Sequence, residues 1–196
     1  MENKCILNLS GHTGKIGAVT FSNDGKYLAS GSYDTTIKIW SLNNGKCLDT
    51  ITGHKIMVDL LSYNPSGTRL ISGGGYGIIK IWDTATKRCD ITLSDESKWV
   101  NSVSWSPDGK YLAYGNSDSL IVIWEVDSDE IIRNLTGHFD FVNSISFSPN
   151  GSFLASASSD KTIKIWDPFS GLCLKTLIGH SEEVNSISYS PGGKFL

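Results

Sequence analysis

One spacing constrains this chain more than any other property. Trp40, Trp82, Trp124 and Trp166 stand 42 residues apart, each closing a similar phrase: TTIKIWS, GIIKIWD, SLIVIWE and KTIKIWD. The pairs Gly11–His12, Gly53–His54, Gly137–His138 and Gly179–His180 keep the same step or twice it. So do the aromatics Phe21, Tyr63, Trp105, Phe147 and Tyr189. Cys5, Cys47 and Cys89 follow it, Ile131 takes the next place, and Cys173 resumes. A period of this length marks a stack of like supersecondary units, none able to bury its apolar face alone.

Each period reads as four short strands. In the first they are residues 4–9 (KCILNL), 16–22 (IGAVTFS), 26–31 (KYLASG) and 36–40 (TIKIW). The links SNDGK, NPSGT, SPDGK, SPNGS and SPGGK are tight turns. Proline presets the second turn position and glycine supplies positive φ at the end. Short strands at even spacing, with no helical period between them, predict repeated antiparallel sheets.

Composition excludes several classes. At 39% hydrophobic and 19% charged the chain suits a folded globular protein. A net charge of -3 carries no basic footprint for nucleic acid. No apolar run approaches the roughly 20 residues of a membrane span, and MENKCILNLSGH lacks the layout of a secretion signal. The expected setting is cytoplasmic or nuclear, without membrane association.

Gly-His opening and Trp-Asp closing a period of 42 resembles the WD40 repeat, and the resemblance runs through essentially the whole chain. It implies an all-β fold, a β-propeller of four-stranded antiparallel blades: four full repeats (about 4–45, 46–87, 88–129 and 130–171) and a fifth, truncated, at 172–196. Because SPGGKFL breaks off as a strand begins, the chain reads as a piece of a longer propeller. The alternative is a ring completed by self-association.

The resemblance also implies a buried hydrogen-bond chain of Asp, His, Ser and Trp. His12, Ser30, Asp34 and Trp40 fit it, as do His138, Ser156, Asp160 and Trp166. Asp accepts from one imidazole nitrogen and fixes the tautomer. The other nitrogen accepts from the Ser hydroxyl, which accepts the indole N–H. The second repeat has Tyr76 in the Asp place, beside His54, Ser72 and Trp82. The third has Glu96 for His and Tyr114 for Ser, with Asp118 and Trp124 kept. Two neighbouring carboxylates there would be costly if buried and charged. The second and third repeats are therefore expected to be the weaker ones.

Catalytic chemistry is not evident. All four His stand in Gly-His pairs, leaving none for general-base or metal chemistry. The four Cys occupy one place in different repeats with no Cys-x-x-Cys pair, so neither zinc nor a disulfide is expected. SGGGYG lacks the Gly-Lys-Ser/Thr ending of a phosphate loop and reads as a loosened turn. No cofactor and no metal are expected.

In propellers of this family one face is lined by residues just after Gly-His and just before Asp. Carried over, these places hold Tyr33, Met57, Asp59, Trp99, Asn101, Phe141 and Asn143. Trp99 is the one Trp that the repeat does not explain, in a place that elsewhere holds Lys15, Met57, Phe141 and Glu183. Exposed aromatics favour a contact surface. The alternative is that Trp99 and Phe141 fold back onto their own loops. The expected function is a non-enzymatic scaffold gripping a peptide or protein on one face. The alternatives are a sensor propeller of a larger signalling protein and a ubiquitin-ligase substrate receptor. WSLN, WDTA, WEVD and WDPF all lack the Arg of the latter's Trp-Asp-x-Arg motif.

Overall fold

The third strand of each repeat concentrates isoleucine and valine around its Trp, and such residues favour an extended backbone. The turn signals then fold each run back on its neighbour. In the computed structural model, which describes residues 5–94 and 98–196, this gives four four-stranded antiparallel sheets. Each has the blade arrangement of a β-propeller. The chain divides into residues 1–93 and 94–196. The first unit holds β1 (Ile16–Phe21), β2 (Tyr27–Ser32), β3 (Ile37–Ser41) and β4 (Cys47–Ile51). Its second sheet is β5 (Leu60–Tyr63), β6 (Arg69–Gly73), β7 (Ile78–Asp83) and β8 (Cys89–Ser94). The second unit holds β9 (Val100–Trp105), β10 (Tyr111–Asn116), β11 (Ile121–Glu125) and β12 (Glu130–Leu135). It ends with β13 (Val142–Phe147), β14 (Leu154–Ser158), β15 (Thr162–Trp166) and β16 (Cys173–Ile178). Strands pair in chain order within every sheet. The helical structure among the described residues is one 3-10 turn, Gly75–Gly77.

Turn and register agree from repeat to repeat. The turn N–H groups of Gly25, Gly67, Gly109 and Gly151 donate to the carbonyls of Ser22, Asn64, Ser106 and Ser148 at 2.8–2.9 Å. Ser106 and Ser148 are buried, and their hydroxyls bond Asp108 and Asn150. These serines belong to the turn geometry. Leu28, Leu70, Leu112 and Leu154 pair across their hairpins with Trp40, Trp82, Trp124 and Trp166.

Each unit has a core built from the facing sides of its two sheets. In residues 1–93, Ala29, Ile37, Ile39 and Ile51 pack with Val58, Leu70 and Trp82. In residues 94–196 the same positions, 84 further on, recur: Ala113, Ile121, Ile123 and Leu135 pack with Val142, Leu154 and Trp166, joined by Ile145 and Phe147. Full burial of one such side chain stabilises by about 1.5–3 kcal/mol. The opposite face of β1 is open. Val19 and Phe21 are 57% and 62% exposed, whereas their counterparts Ile145 and Phe147 are 5% and 7% exposed.

The structure departs from the strand expectation at two places. Residues 5–9, expected in an outer strand, make no ladder. No free sheet edge takes up their backbone among the described residues, and Leu7 instead packs over the Gly45 turn. Residues 183–190, expected as an inner strand, also lack one. The N–H groups of Ile187 and Tyr189 go to the hydroxyls of Ser144 and Ser146, at 3.2 and 3.4 Å. The turn that follows still forms, with Ser190 N–H donating to Phe195 O at 2.9 Å.

Close approach of the sheets depends on glycine. A Cβ on Gly115 would lie 2.5 Å from Val142 Cγ1. The valine is locked by its branching and its burial. Gly115→Ala is expected to destabilise residues 94–196 by about 1–3 kcal/mol through overpacking. Urea unfolding followed by tryptophan fluorescence checks this, and an unchanged midpoint would show that the sheets can separate at no cost.

Candidate functional site

The polar core of the first, second and fourth repeats links a loop, a second strand and a third strand. In the first, Trp40 Nε1 donates to Ser30 Oγ at 2.7 Å, and Ser30 Oγ lies 2.8 Å from His12 Nε2. His12 Nδ1 is 2.8 Å from Asp34 Oδ2, which also accepts the Thr13 N–H at 2.9 Å. Asp34 Oδ1 accepts from the Thr36 hydroxyl and N–H. The fourth repeat brings Trp166, Ser156, His138 and Asp160 together in the same order at 2.8, 2.7 and 2.7 Å. Burial works upward on Asp34 and Asp160, but the donors around each outweigh it and hold both carboxyls below the usual carboxylate range. Both aspartates therefore stabilise the fold above about pH 3.8 and lose that contribution as pH falls. The strong donors and acceptors of these groups are used within the chain, so they fix the loop against both strands.

The second repeat keeps Trp82 Nε1 to Ser72 Oγ and Ser72 Oγ to His54 Nε2, both at 2.6 Å. Its polar core has no aspartate, since Tyr76 takes that place. His54 Nδ1 is buried with no hydrogen-bond partner among the described residues. Burial, reinforced by Lys80, pushes the imidazole down to about 4. The loop has closed differently. Tyr76 sits at φ 62° and is exposed, and Gly74 is pressed so close that an added Cβ would meet Met57 O at 2.2 Å. In the third repeat Glu96 lies outside the described residues. Asp118 is on the surface, 3.2 Å from Lys98 Nζ. Tyr114 and Trp124 are buried.

The residues carried over to a contact face divide by place. Trp99 and Phe141 each precede a buried valine, Val100 and Val142, at a strand entry. Alternation along an extended chain turns the side chain before an inward valine outward. Trp99 is 44% and Phe141 51% exposed. The carbonyls of Trp99 and Phe141 accept from Ser117 and Ser159 N–H, both at 2.9 Å. In residues 1–93, Tyr33 is 48% exposed and Met57 is half-buried. Two places on, the side chains do a different job. Asn101 Nδ2 donates to Val142 O, tying β9 to β13, and Asn143 Nδ2 donates to Val184 O, tying β13 to the segment after β16, both at 3.2 Å. Asp59 is half-buried, Oδ1 has no partner among the described residues, and burial pushes its carboxyl up.

One residue escaped the sequence reading. Phe139 is 90% exposed immediately after His138, and its N–H donates to Asp160 Oδ2 at 3.1 Å. Its place holds Thr13, Lys55 and Ser181 in other repeats, so a lone aromatic there was the available signal. Among the described residues no cluster of His, Cys, Asp or Glu could hold a metal, and all four Cys are free and exposed. No helix of the described residues is long and apolar enough to cross a membrane.

The WD40 family (WD domain, G-beta repeat) matches residues 3–41, 45–83, 87–125, 129–167 and 171–196. The chain belongs to this family. Among curated proteins it is 50% identical over 40 residues to the Notchless protein homolog of Arabidopsis thaliana, covering 20% of this chain and 8% of that protein. It is 50% identical over 42 residues to Protein Mut11 of Chlamydomonas reinhardtii, covering 21% and 11%. It is 44% identical over 43 residues to Cell division control protein 4 of Saccharomyces cerevisiae, covering 22% and 6%. Each match is about one repeat long, a small part of the relative.

Two outcomes follow from the polar core. Ser156→Ala strands the Trp166 indole N–H and His138 Nε2, and is expected to cost about 1–3 kcal/mol per stranded group in urea unfolding, with Ser156→Thr far milder. His54 resists protonation in the fold, so the unfolded chain takes the proton first. Its contribution is full above about pH 6.5 and declines as pH falls toward 4. His138 is also pushed down, chiefly by burial, and acts in the same direction. His54→Gln should therefore reduce, without abolishing, the fall in thermal midpoint between pH 6.5 and 4. An unaltered slope would place the titration elsewhere.

Proposed function

We propose that this chain is a non-enzymatic interaction scaffold that grips a peptide or protein segment on the face carrying its strand entries. The observation that carries this reading is the exposure of Trp99 and Phe141 beside buried valines. Large, stiff aromatics held at the surface lose little entropy on contact and are favoured anchors. Tyr33 and Met57 are the corresponding contacts in residues 1–93. Asp59 in residues 1–93, and Asn101 and Asn143 in residues 94–196, lie two places further along the chain from Met57, Trp99 and Phe141 in their own units. Three of the four imidazoles, His12, His54 and His138, are engaged in the polar cores, and the fourth, His180, is exposed. What whole WD40 relatives bind comes to this chain only as a class, protein or peptide. A photo-crosslinking phenylalanine analogue at position 141 is expected to label a protein partner in cells. The same group at Phe169, an exposed aromatic packed on Tyr111 in a different turn, should not. Equal labelling from both positions, or none from 141, would refute the proposed face.

A further inference from the structure

The aromatic surface of residues 94–196 has an uncompensated acidic border. Trp99, Phe141 and Glu183 occupy the same place in successive repeats, each just before a buried valine. Asn101 and Asn143 tie those entries together by donating to Val142 O and Val184 O. Three equivalent places thus present two aromatic rings, at the entries of β9 and β13, and then a carboxylate. Asp140 and Glu182, in the places immediately before Phe141 and Glu183, are exposed, and so is Glu183. Phe139 stands beside Asp140.

The nearby cations are already committed. Lys98 pairs with Asp118, and the Lys161 ammonium donates to Ser181 O at 2.8 Å. Among the described residues no basic side chain lies within ion-pair distance of Asp140, Glu182 or Glu183. The imbalance extends to the whole unit. Residues 94–196 carry 13 Asp and Glu against 7 Lys and Arg, net -6, whereas residues 1–93 carry 7 against 10, net +3. Exposed aromatic faces attract cations through their quadrupole, and adjacent carboxylates add charge attraction and steer encounter.

We propose that the surface formed by Trp99, Phe139 and Phe141 takes a basic peptide segment of a partner protein. An arginine or lysine of that segment lies over the aromatic rings, with Asp140, Glu182 and Glu183 meeting its flanking positive charges. This rests on the contact face proposed above and names the chemistry of its partner. A planar guanidinium suits the site better than an ammonium, because it stacks on a ring while its edge donates to carboxylates.

The test uses the 196-residue chain and an immobilised series of twelve-residue Gly/Ser peptides. These carry one central Leu and zero, two or four Arg, with matched Glu peptides. Retention is expected to rise with Arg number, to be absent on the Glu series, and to weaken steeply between 50 and 300 mM salt. Phe141→Ala should lower affinity for the four-Arg peptide about fivefold or more, and Phe141→Trp should preserve it. Joint Glu182→Gln and Glu183→Gln should lower it about tenfold and flatten the salt dependence. All these positions are exposed, so an unchanged thermal midpoint checks the fold of each variant. Retention indifferent to peptide charge but lost in Phe141→Ala would overturn the basic-segment assignment and leave the contact face standing. Retention of the Arg peptides unaltered by both Trp99→Ala and Phe141→Ala would overturn the face as well. Arg-dependent retention that survives the glutamine variants would show charge attraction from elsewhere on the chain and overturn the proposal.

Discussion

In the first, second and fourth repeats the hydrogen bond from the Trp40, Trp82 or Trp166 indole to a buried serine hydroxyl is the contact on which the rest of the repeat depends. It places the largest side chain of the third strand against the second strand, and the same hydroxyl then reaches the histidine of the preceding loop. Aspartate completes the chain by collecting the imidazole, a loop N–H and a threonine hydroxyl on two oxygens. These groups are out of water, so each needs its partner and the loop has one acceptable position. The loop in turn decides where the first strand starts, and so which side chain stands outside the first buried valine.

The repeats of this chain show how far that network can be altered. The second repeat has Tyr76 in place of the core aspartate beside serine, histidine and tryptophan; His54 Nδ1 has no partner among the described residues, and burial favours the neutral imidazole. The loop contracts around glycines where a Cβ would collide with Met57 O. The third repeat fills the serine place with a buried tyrosine, and its aspartate turns outward to Lys98. Through all of this the valine and isoleucine positions of the two cores stay apolar, because their side chains meet across facing sheets. The place three residues beyond the histidine position is under no such demand. It holds lysine, methionine, tryptophan, phenylalanine and glutamate in turn, so a contact surface can change without cost to the sheets.

Much of this was legible in the residues. The spacing of tryptophan and of Gly-His, together with the Pro/Gly turns, anticipated four-strand sheets and the membership of both complete hydrogen-bond sets. Strand formation at residues 5–9 and 183–190 was not legible, because alternation says only that a segment can pair. Whether it does depends on a neighbouring edge that supplies the hydrogen bonds. Asn101 and Asn143 were read as surface contacts, and periodicity gave no sign that their amides donate to backbone carbonyls 41 residues on. Phe139 went unnoticed because it follows a recurring Gly-His pair in a place otherwise filled by small or polar residues.

By itself the sequence determined the repeating unit: strand, turn, strand, strand and outer strand, with one buried tryptophan per period. Those features follow from local sterics, alternation and turn chemistry, which act over a few residues. The tertiary structure decided which polar groups meet, which carboxylates stay paired, and which aromatics remain at the surface. Those outcomes depend on atoms 18 to 43 residues apart in the chain, such as Ser30 with His12 or Ile145 with Ser102, brought within 3 Å only when the sheets pack.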